Sequence, residues 1–172
     1  MVDRPTALTK QHDLSRFECR KPVLSDWLKK YALQSDASNH TKTMVITSDG
    51  THVIGYYSFN IVSVGHEETT LPRVSKGLAK YSIPIFLIAR LAVHTQFEGQ
   101  KLGPRLLRHA LNRAAILSKE IPIRAIVVDA LDEEAKSFYA HFDFEAWPVD
   151  GFRMLILLKD LLKSLEAAAR SK

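Results

Sequence analysis

The sequence predicts an α/β domain in which helices flank a mixed central sheet. Three observations lead to this prediction. A segment with helical periodicity precedes two β-prone runs in the first half, short apolar runs alternate with helix-periodic segments in the second half, and a glycine-containing turn joins a strand directly to a helix. The 172 residues contain no repeat and no internal linker, so we expect a single domain over residues 1–172.

The first half of the chain begins with an amphipathic helix and continues into a hairpin. Apolar residues over 23–33 recur at intervals of three and four, which places them on one helical face. The turn signal Ser-Asp-Gly at 48–50 separates two runs rich in β-branched and aromatic residues, 43–46 and 52–64. These runs predict a β-hairpin with a bulge at Gly55.

The second half is predicted as strand, glycine turn, helix, strand, helix, strand and helix. A polar connection over 65–82, with one short helical turn, precedes it. Its apolar runs are nearly continuous, as expected for strands covered on both faces, and Asp132 is placed to cap the second helix. The strands are predicted over 85–93, 123–128 and 152–158, and the helices over 106–117, 132–141 and 161–170.

Composition favours a cytoplasmic protein without a membrane segment or a metal site. The single cysteine, Cys19, excludes an intrachain disulfide and favours a reducing compartment. The longest apolar stretch, 83–89, is too short to span a bilayer, and residues 1–10 lack the apolar core of a signal peptide. The seven histidines have no metal-binding spacing. The net charge of +5 favours an anionic partner or simply keeps the surface solvated.

The most informative segment is the turn between the strand that ends at Val93 and the next helix. Gly99 and Gly103 permit close approach of the backbone to a ligand, and free amides at the start of a helix attract phosphate oxygens. Pro104 suits the first turn of that helix. The spacing matches neither a dinucleotide-binding fingerprint nor a Walker loop. Two glycines alone would indicate no more than a tight strand-to-helix turn.

Three segments, in the expected order, resemble the GNAT acetyltransferase superfamily. Residues 96–103 (Q-F-E-G-Q-K-L-G) are similar to its acetyl-CoA signature, 90–93 (R-L-A-V) to its splayed central strand, and 135–139 (A-K-S-F-Y) to its later A-x-x-F-Y element. Two positions depart from the pattern, since Lys101 and Asp143 stand where small residues are usual. Aspartate tolerates the left-handed conformation better than most residues, so the turn at 143 can form.

The resemblance implies a GNAT fold with acetyl-CoA as co-substrate. The pyrophosphate would lie on the amides of residues 99–104, and the Val93 amide would stabilise the oxyanion. Tyr139 would protonate the departing thiolate, because a phenol with a pKa near ~10 can donate to a thiolate whose parent thiol has a pKa near ~8.5. The implied cofactor-binding residues are Leu91, Ala92, Val93, Gly99, Gln100, Lys101, Gly103, Pro104, Ala135 and Phe138.

No general base is evident on the strand over 90–94. Only His94 has a side chain that accepts a proton, and we expect it to make a polar contact at the strand end. A missing base is tolerable when the attacking amine is already partly neutral. An α-amine with a pKa near ~7.7 meets that condition, whereas a lysine amine near ~10.4 does not. The strand therefore favours an α-amine substrate.

The start of the chain resembles one GNAT subgroup, the toxins of type II toxin–antitoxin modules. Residues 12–19 (H-D-L-S-R-F-E-C) and 24–28 (L-S-D-W-L) are similar to its F-x-C-G…L-x-x-W/F-L opening, with Arg20 where glycine is common. Residues 129–139 match the same subgroup. The resemblance implies acetylation of the α-amine of aminoacyl-tRNA, a block of translation and neutralisation by a ribbon-helix-helix antitoxin. The oligomeric state stays open, with a homodimer as one form.

Basic residues are candidates for holding the tRNA by phosphate attraction, although solvated surface charges explain each of them equally well. They are Lys29, Lys30, Lys42, Arg73, Lys76, Lys80 and Arg90. Two other functions remain open. One is a small-molecule or protein N-terminal acetyltransferase that does not act on RNA. The other is a non-catalytic acetyl-CoA-binding module, against which the intact Tyr139 argues.

Overall fold

The computed structural model describes residues 2–65, 72–77 and 81–172, and of residues 72 and 73 it describes the backbone alone. The strands are β1 (Thr6–Ala7), β2 (Lys42–Thr47), β3 (Val53–Val64), β4 (Ile83–Val93), β5 (Ala125–Asp129), β6 (Glu145–Ala146) and β7 (Arg153–Leu157). The helices are α1 (Pro22–Ala37), α2 (Pro72–Ser75), α3 (Leu102–Leu117), α4 (Glu133–Ala140) and α5 (Leu158–Arg170). The strands form one mixed sheet in the order β1-β2-β3-β4-β5-β7-β6, which confirms the predicted α/β class.

The predicted order of elements is confirmed, with shifted boundaries. The first helix continues to Ala37, and α3 begins at Leu102 because it includes the glycine and proline that follow the turn. Helix α5 begins at Leu158, directly after β7. The two-residue strands β1 and β6 and a 3-10 turn at Thr95–Phe97 escape sequence prediction, since segments this short carry no periodicity.

The predicted hairpin is present, and its bulge lies one residue from the expected position. Strands β2 and β3 are antiparallel, with Ile46 opposite Gly55 and Thr47 opposite Val53. Ile54 is therefore the extra residue. Gly55 is required for packing and not for the bulge, because a Cβ at this position would lie only 3.1 Å from Leu106 Cδ1. Gly55 allows β3 to approach α3 closely.

Residues 1–60 and 88–110 form one of two compact units in the chain. Helix α1 packs on this part of the sheet, and the Tyr56 hydroxyl donates a 2.8 Å hydrogen bond to the Leu24 carbonyl. Phe17 meets the Tyr56 ring edge-on, with the centroids 5.5 Å apart. The buried core of this unit consists of Leu8, Leu14, Phe17, Leu28, Ala32, Val45, Val53, Tyr56 and Ala92.

Residues 61–87 and 111–172 form the second unit. Strands β5 and β7 pair antiparallel over their full length, from Ala125 opposite Leu157 to Asp129 opposite Arg153. The predicted cap of α4 is confirmed, because the Asp132 carboxylate accepts a 2.8 Å hydrogen bond from the Ala135 amide. The buried core of this unit consists of Val74, Ile83, Ile85, Ala125, Val127, Trp147, Leu155 and Leu157.

The close approach at Gly55 generates a stability prediction. Gly55→Val should lower the free energy of unfolding by about 1–3 kcal/mol, because the added methyl groups meet Leu106 and the Ala92 carbonyl oxygen, 3.5 Å from a Cβ at this position. Gly151→Ala is the control, since a Cβ there lies at an ordinary 3.5 Å from Lys136 Nζ. Urea unfolding followed by circular dichroism measures both. Equal midpoints for the two variants would contradict the packing role of Gly55.

Candidate functional site

Strand β4 ends at a histidine whose two ring nitrogens are both engaged. His94 Nδ1 accepts a 3.1 Å hydrogen bond from the Gln96 amide, which caps the 3-10 turn, and Nε2 lies 3.0 Å from the Arg16 carbonyl oxygen. An acceptor Nδ1 and a donor Nε2 fit one neutral tautomer. His94 therefore holds the end of the strand, as expected from the sequence, and its Nδ1 lone pair is already used.

The turn that follows contains two residues in the left-handed region. Gly99 has φ +75° and Lys101 has φ +60°. A glycine adopts this conformation without penalty, whereas for a lysine it costs about 1 kcal/mol of conformational free energy. Left-handed residues within a turn bring successive amides to one concave side, an arrangement that binds anions. Lys101, which stands where a small residue is usual, therefore has the same backbone conformation that a glycine would adopt there.

The amides that lead into α3 are not used inside the described part of the chain. The amides of Gln100, Lys101, Leu102 and Gly103 donate to none of the residues that the structure describes, and the first internal bond runs 3.2 Å from the Arg105 amide to the Lys101 carbonyl. These donors and the helix dipole attract an anion. Pro104, third in α3, has no amide to offer, as predicted.

The strand residues proposed to run beside a cofactor differ in exposure. Ala92 is buried in the core of its unit, while Leu91 and Val93 are half-buried. The strand is anchored where it ends, because the His94 amide donates a 2.8 Å hydrogen bond to the Ile54 carbonyl. The anchor fixes the position of the Val93 backbone.

Tyr139 lies on α4 in an apolar setting. Its side chain is 7% exposed, and its ring packs against Phe138 and Phe144 with centroid distances of 5.2 and 5.7 Å. Burial raises the pKa of the phenol above its usual value of 10. Among the described residues nothing hydrogen-bonds to the hydroxyl. The phenol is therefore protonated at neutral pH, and its proton is not committed to an internal acceptor.

The chain reverses direction after α4 at Asp143, the second position that departs from the family pattern. Asp143 has φ +67°, and the Phe144 amide returns to the Tyr139 carbonyl at 3.3 Å. Aspartate accepts this conformation, as expected, and the turn is retained without glycine. The Ala135 amide is used by the Asp132 cap, so Ala135 offers a ligand its methyl group.

The structure places the proposed cofactor residues in two groups, one in each compact unit. Residues 91–104 belong to the first unit, and Ala135, Phe138 and Tyr139 belong to the second.

Three of the candidate tRNA-binding lysines are paired with carboxylates. Lys29 Nζ lies 2.5 Å from Glu18 Oε1, and the ammonium groups of Lys30 and Lys42 lie 3.8 and 3.1 Å from carboxylate oxygens of Asp26 and Asp36 respectively. Such surface pairs contribute about 0–1 kcal/mol, so a phosphate can compete for them. Lys76 is exposed. The Arg73 side chain and Lys80 lie outside the described residues.

Arg90 is held by an aromatic ring and not by an acid. Its guanidinium carbon lies 4.0 Å from the centre of the Trp27 ring, which in turn stacks on Tyr56 at 6.1 Å. Burial lowers the pKa of Arg90, but a guanidinium stays charged at physiological pH. No carboxylate among the described residues pairs with it. The sequence marks Trp27 as a helix-face residue and as part of the L-S-D-W-L segment, and neither feature predicts this stack.

Two other sequence-based interpretations concern Cys19 and metals. Cys19 packs against the core of its unit, and its sulfur lies 3.2 Å from both the Lys21 carbonyl and the Ser25 hydroxyl, as suits a packing residue. Over the described ranges, no group of three or more His, Cys, Asp or Glu side chains is arranged to hold a metal ion. In the same ranges, every helix is too short or too polar to cross a membrane.

Comparison with known proteins agrees with the motifs. A family model for the acetyltransferase (GNAT) domain matches residues 39–146, more than half of the chain. A tRNA-acetylating toxin from Mycobacterium tuberculosis is 36% identical over 156 residues, which cover 91% of this chain and 92% of that protein. A probable toxin TacT from Sinorhizobium fredii is 30% identical over 156 residues, 85% of each chain.

Solved structures show the same fold. AtaT complexed with acetyl-methionyl-tRNAfMet matches with a TM-score of 0.86 at 21% identity, over 96% of this chain and 99% of that one. AtaTR bound with AcCoA matches with a TM-score of 0.81 at 24% identity, over 95% and 98% of the two chains. The family model and the 36% identical relative together show that this chain belongs to the GNAT acetyltransferase family.

Proposed function

We propose that the protein is an acetyl-CoA-dependent N-acetyltransferase toxin that acetylates the α-amine of aminoacyl-tRNA and so blocks translation. The observation that carries the proposal is the turn at 99–103, whose amides are free to bind phosphate, in a chain 36% identical to a tRNA-acetylating toxin. The proposal treats residues 1–172 as one catalytic domain.

The turn is proposed to bind the pyrophosphate of acetyl-CoA. The amides of Gln100, Lys101 and Gly103 would donate to phosphate oxygens, and the exposed Lys101 ammonium would add attraction. The pantetheine arm would lie along Leu91–Val93 as an added strand. Ala135 and Phe138 would contribute apolar contacts, and Gly99 and Pro104 the shape of the turn.

In the proposed reaction the amine attacks the thioester carbonyl directly. The Val93 amide stabilises the oxyanion that forms, and the carbon–sulfur bond then breaks as the carbonyl re-forms. Tyr139 donates its phenolic proton to the departing thiolate, which gives coenzyme A. The nitrogen of the product loses its extra proton to water, and the Tyr139 phenolate takes a proton back from water, which restores the enzyme. Two properties of the phenol support this assignment: it is protonated at neutral pH, and its hydroxyl donates to none of the described residues.

The choice of an α-amine rests on the lack of a free base at the end of β4. His94, the one titratable acceptor at the end of β4, already accepts from the Gln96 amide. An α-amine near a pKa of ~7.7 is partly neutral at pH 7 and needs no strong base, unlike a lysine amine.

Arg90 is the proposed anchor for the acceptor end of the tRNA. A stacked guanidinium presents its donors in a fixed plane, which suits phosphate oxygens and nucleobase faces. Lys29, Lys30, Lys42, Arg73, Lys76 and Lys80 are proposed to add sequence-independent attraction. The excess of basic residues supports this role.

The proposed partners and location follow from the toxin assignment. A small antitoxin of the ribbon-helix-helix type would neutralise the enzyme, which would act in the cytoplasm on charged tRNA, as a monomer or a homodimer. A structure of the AtaT toxin bound to the C-terminus of the antitoxin AtaR supports an antitoxin as the partner.

The phosphate turn is tested by Gly103→Asp. We expect acetyl-CoA affinity to fall at least about tenfold, because the new carboxylate faces the pyrophosphate. Gly151→Asp, the same change on the turn before β7, should leave the affinity unchanged. Isothermal titration calorimetry on folded variants measures both. Wild-type affinity in Gly103→Asp would exclude this turn as the phosphate site.

The acid role is tested by Tyr139→Phe. Turnover should fall by about 10²–10⁴-fold while acetyl-CoA affinity stays at the wild-type value, because the change removes a proton donor and little volume. Since the pKa of Tyr139 is raised above 10, the wild-type rate should not decline below about pH 10 through loss of the phenolic proton. Turnover close to wild type in Tyr139→Phe would assign the acid elsewhere.

The substrate is tested by transfer of labelled acetyl groups. We expect label on aminoacyl-tRNA, retained by the amino acid after mild base cleaves the ester, and none on uncharged tRNA or a lysine-rich peptide. The Michaelis constant for tRNA should rise steeply with salt as phosphate contacts are screened. Transfer to lysine ε-amines, or transfer indifferent to salt, would favour a small-molecule or peptide acetyltransferase.

A further inference from the structure

The segment 16–20, which precedes α1, contacts the start of the cofactor turn at three points. The Arg16 carbonyl oxygen lies 3.0 Å from His94 Nε2, and the Glu18 carbonyl accepts a 2.9 Å hydrogen bond from the Thr95 amide. The third contact is an ion pair, with Arg20 Nη2 2.7 Å from Glu98 Oε2. The segment therefore runs alongside residues 94–98, and Arg20 reaches the last residue before Gly99.

This segment is fixed in place by packing. Phe17 is 1% exposed and meets the rings of His94 and Tyr56 edge-on, at 5.9 and 5.5 Å. The Glu18 side chain is tied to Lys29 of α1. A buried aromatic and an ion pair on neighbouring residues hold the backbone of the segment next to residues 94–98. The Arg20 side chain is itself 63% exposed and is held by its ion pair with Glu98.

The pair matters because of where Glu98 lies. Glu98 is the last residue before the turn 99–103, whose amides are proposed to hold the pyrophosphate, and about a third of its side chain is exposed. A partly shielded negative charge beside a phosphate site opposes the binding of an anion. A guanidinium 2.7 Å away cancels most of that charge.

We propose that Arg20 is a positioning residue that neutralises Glu98 and thereby sets the affinity of the turn for phosphate-bearing ligands. The proposal rests on the proposed function of the turn as the acetyl-CoA pyrophosphate site.

Arg20→Gln tests the proposal with coenzyme A as the probe in calorimetry. Affinity should fall about threefold to tenfold at low salt, and the loss should shrink as salt screens Glu98. Arg20→Lys, which keeps the charge, should stay within about twofold of wild type. Lys10→Gln removes the same charge from an exposed residue outside the 16–20 segment and should have no effect. Wild-type affinity in Arg20→Gln would overturn the proposal.

The double variant Arg20→Gln/Glu98→Gln separates charge from structure. If neutralisation is the role, removal of Glu98 restores most of the lost affinity. If the pair only fixes the backbone, the double variant stays as weak as Arg20→Gln, which overturns the proposal. S-acetylpantetheine, which carries no phosphate, should be used equally well by wild type and Arg20→Gln. A wild-type protein that binds no coenzyme A would instead refute the proposed function itself.

Discussion

An anion-binding turn has to keep its own amides unpaired and still hold one shape. A backbone segment normally gains order by satisfying its donors internally, but the amides of residues 100–103 donate to no acceptor in the described part of the chain. Contacts made by other residues must then hold the turn in one shape. Here these contacts come from His94 at the end of β4, from the core beneath α3 and from the segment 16–20. Much of the first compact unit can be understood as support for these few unpaired groups.

Sequence predicted well those features that one residue type imposes on its own backbone. Gly99 predicts a turn residue in the left-handed region, Asp132 predicts a helix cap, and Asp143 predicts a turn that forms without glycine. It predicted poorly the contacts between segments far apart in the chain. The stack of Arg90 on Trp27, the bond from His94 to Arg16 and the carboxylate partners of the lysines depend on how helix and sheet pack, and periodicity carries no information about them.

Burial has opposite effects on two properties of the proposed acid. An apolar environment raises the pKa of the Tyr139 phenol, so the group carries its proton at neutral pH. The same rise in pKa makes the phenol a weaker acid towards a thiolate. The proposed α-amine substrate needs no base on the strand over 90–94, because such an amine is already partly neutral.

Within residues 2–65, 72–77 and 81–172, three positions other than glycine adopt positive φ, namely Asn39, Lys101 and Asp143. Their tolerance of substitution differs from that of ordinary exposed residues. A β-branched side chain at any of them clashes with its own backbone, whatever its polarity, whereas asparagine or glycine is accepted. At Lys101 two demands conflict, since glycine relaxes the backbone and lysine supplies a cation. Few residue types can therefore replace Lys101, although its side chain is exposed to solvent.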